Sequence, residues 1–188
     1  MCSSDSATLG QTVGAVRHVL ARRVVDARGR REALQRKIGA GLTEEEFDSL
    51  AAEGSVGHVG LLESAALCAL GLGMDLDEYE EEVAPVMAHE DIPGGAFLVP
   101  RGRVAGVNQT VVGLVDGQER VRLELMLALG AEPPGDQIVI ESDTRLRVEI
   151  PGGIPGDSAT ARLVVHAAPR VASAESGLLT VLDLPAGR

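Results

Sequence analysis

The chain has 188 residues, enough for one domain that buries about two-thirds of the surface its unfolded form exposes. Aromatic residues make up only 2% of it, and 28 acidic against 17 basic side chains give a formal net charge of −11. Nucleic acid is therefore disfavoured as a partner, because its phosphates are repelled and aromatic platforms for base stacking are scarce.

The sequence gives no sign of membrane targeting. No apolar run reaches the ~18 residues of a membrane span, and the N-terminus lacks the basic and apolar segments of a signal peptide. Cys2 and Cys68 are too few for a disulfide framework, and the four histidines lack the paired spacing of zinc ligands. We expect a cytoplasmic protein with reduced cysteines, no metal and no membrane contact.

The first residues predict a tail, a helix and a strand. Residues 1–6 read as a disordered tail, and apolar residues at helical spacing predict a helix over residues 6–21. The valine pair within residues 22–27 predicts a short strand. A capping box at residues 43–46 then begins a helix that ends near Gly54.

Two further helices are predicted before the middle of the chain. The apolar run at residues 61–72 predicts the first. Asp75 or Asp77 caps the second, which runs through Met87 and which Pro85 should kink or end.

One stretch, residues 28–41, is strongly basic. Two interpretations are open: a solvated loop that offsets the acidic remainder of the molecule, or a clamp for an anion or a cofactor phosphate. The cations of this stretch are Arg28, Arg30, Arg31, Arg36 and Lys37.

The second half of the chain predicts strands. Runs over residues 103–115 and 118–130 meet at Asp116 and Gly117, a strong signal for a β-hairpin. On the second run, alternate residues from Val121 onward form an aliphatic wall. The other residues of that run mix charge, Met and Ala, which suits a pocket or a subunit interface.

The remaining elements complete the predicted fold. We expect strands over residues 137–140, 146–150 and 178–182, and a helix over residues 157–168 that Asp157 caps. Together the elements predict an α+β fold, with a mainly antiparallel open sheet and helices packed on one face.

His58 is the first candidate for chemistry, because it lies on a glycine-rich turn that opens a helix. It could act as an acid, a base or a hydrogen-bond donor there, or it could bond a backbone carbonyl and fix the turn. Glu63, in the first turn of that helix, is either a second catalytic candidate or a group that stabilises the helix end. Ser64 is read as a hydrogen-bonding group for substrate.

Four further residues are candidates for substrate binding. Asn108 and Gln109 interrupt an apolar strand, so one should face the helices and the other the mixed face, and a buried amide needs a partner. Asn108 is favoured as the pocket-lining residue. Glu124 and Met126 belong to the mixed face of the second hairpin strand. Asp157 could hold a polar substrate group at its helix end, besides capping that helix.

Five phrases carry a family resemblance. They are RRVVDA at 22–27, LQRKIGAG at 34–41, GHVGL with ES within 57–64, GG with GD and ATA within 152–161, and GLLT with DLP within 177–185. In this order they resemble the dihydrodipicolinate-reductase-like family, which includes 2,4-diaminopentanoate dehydrogenase and related NAD(P)H-dependent amine dehydrogenases.

The resemblance implies that residues 1–188 form a single domain equivalent to the C-terminal domain of that family, which covers the substrate and supplies much of a dimer interface. Family members place a nucleotide-binding domain before it, with a glycine-rich turn between a strand and a helix. No such turn occurs in the first 60 residues. We therefore expect no bound cofactor, and a homodimer formed through the sheet.

Two functional hypotheses follow. In the first, the domain is a cofactor-independent cyclase, isomerase or lyase that acts on a hydrophobic natural-product intermediate, such as a polyketide. In the second, it is the substrate-binding or dimerisation subunit of a split NAD(P)H-dependent dehydrogenase. The second hypothesis predicts an exposed apolar patch where the nucleotide-binding domain docks.

Overall fold

A computed structural model describes residues 14–94 and 97–184. Within these residues the chain forms eight strands and four helices. The strands are β1 (His18–Asp26), β2 (Glu78–Met87), β3 (Ile92–Pro93), β4 (Leu98–Val99), β5 (Val104–Val115), β6 (Gln118–Ala128), β7 (Gly135–Glu141) and β8 (Arg145–Pro151). The helices are α1 (Glu32–Lys37), α2 (Glu44–Ala52), α3 (Leu61–Gly71) and α4 (Gly156–Val171).

Six strands form one sheet in the order β2-β5-β6-β1-β7-β8. β1 lies parallel to β6 and antiparallel to β7, and the other neighbouring pairs are antiparallel. β3 and β4 form a separate two-stranded sheet. The predicted α+β class with a mainly antiparallel open sheet is confirmed.

The predicted hairpin is also confirmed, and the two further predicted strands form another. Asp116 and Gly117, between β5 and β6, have φ angles of 51° and 68°. Two positive φ angles define the type I′ turn, whose twist matches that of the flanking strands. β7 and β8 form the second hairpin, over a range slightly longer than the one predicted.

The apolar core divides into two clusters. In the smaller one, Ala65 and Ala69 of α3 pack against Val111, Val121 and Leu123 of the β5–β6 hairpin. Alanine at these contact positions lets the helix lie close to the strands. The larger cluster surrounds Phe47 of α2, which is fully buried.

The helix predicted over residues 6–21 is wrong where the structure describes it. Residues 6–13, like the predicted tail, lie outside the described residues, whereas residues 18–21 belong to β1. The spacing of Val16, Val19 and Leu20 fits a helix locally. Pairing with β6 on one side and β7 on the other supplies long-range hydrogen bonds that this local pattern does not reveal.

The helix predicted to end at Met87 is also wrong, because residues 78–87 form β2. Glutamates favour helices on intrinsic propensity, and tertiary pairing with β5 overrides that preference here. Pro85 is compatible with this strand because β2 lies at the sheet edge, where a missing N–H costs no ladder hydrogen bond.

The predicted cap at Asp157 is wrong. α4 begins at Gly156, Pro155 is its N-cap residue, and no side chain caps it. Asp157 lies in the first turn, where its Oδ2 accepts a hydrogen bond from Nη1 of Arg30 at 3.1 Å. Pro169 lies inside the helix rather than at its end.

The chain after α4 forms turns rather than the strand predicted over residues 178–182. Leu182 lies against the end of α3, so close that a Cβ on Gly71 would come within 3.1 Å of it. Tertiary packing of one leucine thus replaces the predicted strand pairing. Among the described helices, none is long and apolar enough to cross a membrane.

The basic stretch forms local ion pairs. Arg28 pairs with Asp26 and Arg36 with Glu32, and Arg30 makes the contact to Asp157. Three of the five cations therefore have carboxylate partners within the domain. This arrangement fits the solvated-loop interpretation better than a preformed anion clamp.

Both edges of the sheet are charged. β2 and β8 are the edge strands, and their charged side chains blunt the unpaired backbone groups against pairing with other chains. The exposed charged residues of the two edges are Glu78, Glu80, Glu81 and Glu82 on β2, and Arg145, Arg147 and Glu149 on β8.

The confirmed capping box of α2 gives a first testable prediction. Thr43 Oγ1 accepts from the N–H of Glu46, and Glu46 Oε2 accepts from the N–H of Thr43. We expect Thr43→Ala to lower the free energy of unfolding by about 1 kcal/mol in urea denaturation. Ser49→Ala in the same helix is the matched control, with a change below about 0.5 kcal/mol. Equal losses for the two variants would contradict the proposed role of the cap.

Candidate functional site

The strand register divides the sheet residues between two faces. On the helical face, α3 packs against Val121 and Leu123. The opposite face, here called the open face, carries side chains that reach solvent. Among them, the side chains of Arg22, Arg122 and Arg147 are 35–56% exposed.

Three rows of six side chains cross the open face from β2 to β8. The charged row is Glu82, Thr110, Glu124, Arg22, Gln137 and Glu149. The second row is Glu80, Val112, Arg122, Leu20, Val139 and Arg147. The apolar row is Ala84, Asn108, Met126, Val24, Gly135 and Pro151.

The charged groups of the open face are linked to one another. Arg22 Nε lies 3.7 Å from Glu124 Oε2, and Gln137 Nε2 donates to Glu149 Oε1 at 3.1 Å. Arg147 also pairs with Glu149, and its hydrogen bond holds the pKa of that carboxyl below its ordinary value. The polar side chains are thus held in place across several strands.

A first cleft of about 340 Å³ opens where the charged and apolar rows approach the end of the sheet. Its floor is apolar, from Val24 and Met126, and Arg22 and Glu149 bring charge to it. Asp136 also borders it, but its side chain lies on the opposite face of the sheet, where Oδ2 accepts hydrogen bonds from Arg23 and from the N–H of Ile154. The cleft therefore suits a small ligand with both charged and apolar groups.

A second cleft of about 290 Å³ lies between the end of β1 and the loop before α4. Arg23 and Arg30 line it. Arg23 is fixed by Asp136, 3.3 Å from its Nη1, and Arg30 by Asp157. The cleft is basic, but its two guanidinium groups are already engaged with carboxylates.

Asp26, beside the second cleft, is held as a carboxylate. Burial alone would raise its pKa, but hydrogen bonds from Arg28 and from the N–H of Gly130 outweigh burial and lower it. Asp26 therefore ties the end of β1 to the chain that leaves β6.

The turn before α3 is fixed by a buried glutamine that sequence reasoning did not single out. Gln109, only 3% exposed, accepts a hydrogen bond from the N–H of His58 at 2.8 Å and donates to its carbonyl at 3.2 Å. Its Nε2 also donates to Glu81 Oε1 at 2.7 Å. The sequence does show two amide side chains in an otherwise apolar strand. Strand alternation puts Asn108 and Gln109 on opposite faces, but it does not tell which of the two faces the helices.

The sheet separates the sequence-predicted site residues into two groups. Asn108, Glu124 and Met126 share the open face, and Met126 lines the first cleft. His58 and Glu63 are exposed near the start of α3, on the helical side.

Two of the predicted substrate-binding residues have local roles. The hydroxyl of Ser64 donates to the carbonyl of Gly60 at 2.8 Å, within its own helix end. Asp157 stands beside the second cleft, through its contact with Arg30.

The described residues do not fit the pyrophosphate of a dinucleotide. β1 leads into α1, and Gln35 of α1 fills the space beneath that connection by donating to the carbonyls of Ala27, Arg28 and Arg30. The glycine-rich turn before α3 follows a helix rather than a strand. Neither of these two connections has the strand–glycine–helix geometry that dinucleotide sites use. A glycine-containing turn does join β8 to α4 at residues 152–156, but it lacks the G-x-G-x-x-G spacing, and the N–H of Ile154 in it already donates to Asp136 Oδ2.

The described residues favour neither a metal site nor a reactive cysteine. No group of three or more His, Cys, Asp or Glu side chains there could hold a metal ion. Cys68 is partly buried in α3, and burial raises the pKa of its thiol, which disfavours the reactive thiolate.

Comparison with known proteins identifies the class. The family model described as the 2,4-diaminopentanoate dehydrogenase C-terminal domain matches residues 6–188. The chain is 28% identical to 2,4-diaminopentanoate dehydrogenase of Acetoanaerobium sticklandii over 179 residues, which cover 92% of this chain and 51% of that protein.

A solved structure gives the same result for the fold. The amine dehydrogenase from Mycobacterium smegmatis matches with a TM-score of 0.81 at 19% identity, over 97% of this chain and 55% of that one. The chain thus spans about half the length of the relatives it matches. It is a dehydrogenase-like C-terminal domain. It belongs to the 2,4-diaminopentanoate dehydrogenase C-terminal domain family.

Family membership overturns one of the two functional hypotheses. The cyclase, isomerase or lyase activity predicted from the sequence is wrong, because the matched relatives are dehydrogenases. That hypothesis rested on the lack of a nucleotide-binding turn, and such a lack says nothing about the reaction.

The role of Gln109 gives a second prediction. We expect Gln109→Leu to lower the free energy of unfolding by about 2 kcal/mol, since the N–H and carbonyl of His58 lose their partner. Amide hydrogen exchange at His58 should accelerate as well. Asn108→Leu is the matched control, because Asn108 is half-buried and makes no side-chain hydrogen bond among the described residues. A larger loss for Asn108→Leu would show that the open face, rather than the turn, depends on its amide.

Glu119 gives a third prediction, which concerns pH. Hydrogen bonds from Arg122 and a contact to His18 Nε2 at 2.9 Å lower its pKa. A lowered folded-state pKa gives stability that is present above the unfolded value and is lost as pH falls through the folded value. Glu119→Gln should therefore lower the Tm at pH 7. The difference in Tm between this variant and the unaltered chain should become smaller as the pH falls below about 4.3.

The control for the pH prediction is the same substitution in an Arg122→Leu background. Arg122 is the main cause of the lowered pKa of Glu119. In the Arg122→Leu background, the difference in Tm caused by Glu119→Gln should therefore depend little on pH. If that difference in Tm depends on pH as strongly without Arg122 as with it, Arg122 is not the main cause of the lowered pKa of Glu119.

Proposed function

We propose that this chain is the substrate-binding and dimerisation domain of an NAD(P)H-dependent dehydrogenase that acts on a small amine. The nucleotide is held by a separate domain, carried on the same or on another polypeptide. The observation that carries the proposal is the family match across residues 6–188, in a chain that spans about half the length of its dehydrogenase relatives.

The first cleft supports an amine as the substrate. Its acids suit an ammonium group, and Arg22 suits a carboxylate. A small amino acid with more than one amine, such as the compound in the name of the Acetoanaerobium relative, carries both kinds of group.

The predicted site residues take two places in the proposal. Asn108, Glu124 and Met126 contact substrate on the open face, and Asp157 lies by the second cleft. His58 and Glu63 are candidate acid–base groups on the exposed start of α3, with Ser64 beside them, where a docked domain can reach them.

α4 supports a docked nucleotide-binding domain. Leu163 and Val165 are 70% and 71% exposed, and α4 buries none of its side chains. A 16-residue helix with exposed leucine and valine is typical of an interaction surface. The relatives contain about as much chain again outside the match, enough for a domain that covers it. This is the apolar patch that the split-dehydrogenase hypothesis predicts.

The proposal is tested by titrating the purified chain with 2,4-diaminopentanoate and following backbone amide shifts by NMR. The largest shifts should fall at Arg22, Gln137 and Glu149. Glu149→Gln should weaken binding by about tenfold, since a charge-assisted hydrogen bond is lost. Glu53→Gln, far from the cleft, should leave binding unchanged.

Two controls define the outcomes. Pentanoate, which lacks the amines, should cause no comparable shifts. NADH fluorescence should not change on adding the chain, because the nucleotide belongs to another domain. Shifts confined to other regions, or tight NADH binding by these residues, would contradict the proposal.

A further inference from the structure

His58 combines an exposed side chain with a backbone that is held on both sides. The imidazole makes no hydrogen bond among the described residues. The N–H of His58 donates to Oε1 of Gln109 at 2.8 Å, and its carbonyl accepts from Nε2 of the same side chain at 3.2 Å. Because one planar amide group holds both backbone groups of a single residue, it fixes the two backbone torsions of His58 and hence the direction of its Cα–Cβ bond.

The turn depends on this amide because its own side chains contribute nothing to the core. Gly57 and Gly60 have φ angles of 108° and 99°, a region that favours glycine, and Val59 is 75% exposed. A Cβ on Gly57 would lie 3.2 Å from Oε1 of Gln109, so the missing side chain lets the amide approach the turn. The position of the turn is therefore set by hydrogen bonds rather than by packing.

Glu81 holds the amide in its turn. It lies on β2, on the same face of the sheet as Gln109, where Val83 is the direct partner of Gln109. Nε2 of Gln109 donates to Oε1 of Glu81 at 2.7 Å, and the charge of the acceptor strengthens this hydrogen bond. Both donor hydrogens of the amide are thus engaged, and only one orientation of the side chain forms all three bonds.

This network provides direction more than stability. The N–H and carbonyl of a surface turn can bond to water, whereas an amide buried in an apolar strand must first be desolvated. The net stabilisation from each neutral hydrogen bond is only about 1 kcal/mol. What the buried amide adds is an exposed imidazole that leaves the surface in a fixed direction.

The same device occurs at the glycine-containing turn that opens α4. Nη2 of Arg23 donates to the carbonyl of Ile154 at 2.5 Å, and Oδ2 of Asp136 accepts from its N–H at 2.7 Å. The side chain of Ile154 is also exposed, at 44%. Strand pairing through β6 puts Gln109 and the Arg23–Asp136 pair in one row of the helical face. Two turns that open helices are therefore held from a single row of the sheet.

We infer that Gln109 is a positioning residue for His58. Backed by Glu81, it fixes the direction in which His58 presents its imidazole to the docked nucleotide-binding domain. This inference rests on the proposed function, in which His58 is a candidate acid–base group, and it adds the residues that set its geometry. A proton is transferred only at hydrogen-bond distance, so an imidazole that swings on a glycine-flanked turn loses rate rather than substrate affinity.

A double-mutant cycle tests the inference in the complete dehydrogenase, which contains this chain and its nucleotide-binding domain. With 2,4-diaminopentanoate as substrate, Gln109→Leu should lower kcat by about tenfold and change KM by less than about twofold. In a His58→Ala background the same substitution should lower kcat no further, because Gln109 acts through His58. A full tenfold loss in that background would overturn the inference, since a merely structural effect does not depend on His58.

Glu81 is tested by removing its charge. Glu81→Gln should lower kcat by about two- to threefold, because a neutral acceptor holds the amide of Gln109 less tightly. Glu82→Gln is the matched control, since it removes the same charge one position along β2, on the other face of the sheet, and it should leave kcat unchanged. Equal losses for the two variants would overturn the assignment of Glu81.

The order of the turn in the chain alone gives a measurement that needs no activity. By NMR relaxation, the backbone amide of His58 should have an order parameter of about 0.85, which should fall below about 0.6 in Gln109→Leu. Glu82→Gln should leave it unchanged. If Gln109→Leu fails to fold, by circular dichroism, Gln109→Met keeps the length of the side chain and takes its place. A His58 amide that stays ordered without Gln109 would refute the inference.

The two measurements separate this inference from the proposed function. If the complete enzyme does not oxidise the diamine, the proposed function fails, and the order parameters alone decide whether Gln109 fixes His58. If it oxidises the diamine and His58→Ala keeps full activity, the positioning role of Gln109 fails, and the proposed function stands.

Discussion

The position of β1 is the constraint on which the rest of the structure depends. It is an early segment of the chain, yet it lies between β6 and β7 near the middle of a six-stranded sheet. Its side chains alternate between the faces, so Arg22 and Val24 reach the open face and Arg23 the other. Both clefts are therefore built around one strand. A shift of β1 by one residue would turn Arg22 away from the first cleft and Arg23 away from the second.

The sequence predicts those parts of the fold that local chemistry determines. The type I′ turn at Asp116 and Gly117 needs two residues that tolerate positive φ, and the capping box of α2 needs only a threonine and a glutamate three positions apart. The residues of β2 locally predict a helix, because their strand conformation depends on pairing with β5, which comes later in the chain. The first residues of β1 locally predict a helix for the same reason, since β6 and β7 also come later in the chain. Hydrogen bonding between strands that are distant in the chain cannot be inferred from a short stretch of sequence.

The candidate site shows a similar division. Residue type and alternation were enough to place Glu124 and Met126 on one mixed face. They could not show that Gln109, rather than Asn108, is the buried amide that holds the His58 turn, because neighbouring strand residues differ only in the face they occupy. The clefts cannot be predicted from the sequence either, since they form where three segments that are distant in the chain meet: β1, β7 and the loop before α4.

The charged edges of the sheet protect the protein from aggregation at high concentration. An open sheet can extend indefinitely by adding strands from other molecules, and that process ends in fibrils. Here each border carries several ionised side chains, with Pro85 on one of them. An added strand would have to desolvate those charges, which disfavours extension of the sheet at either border.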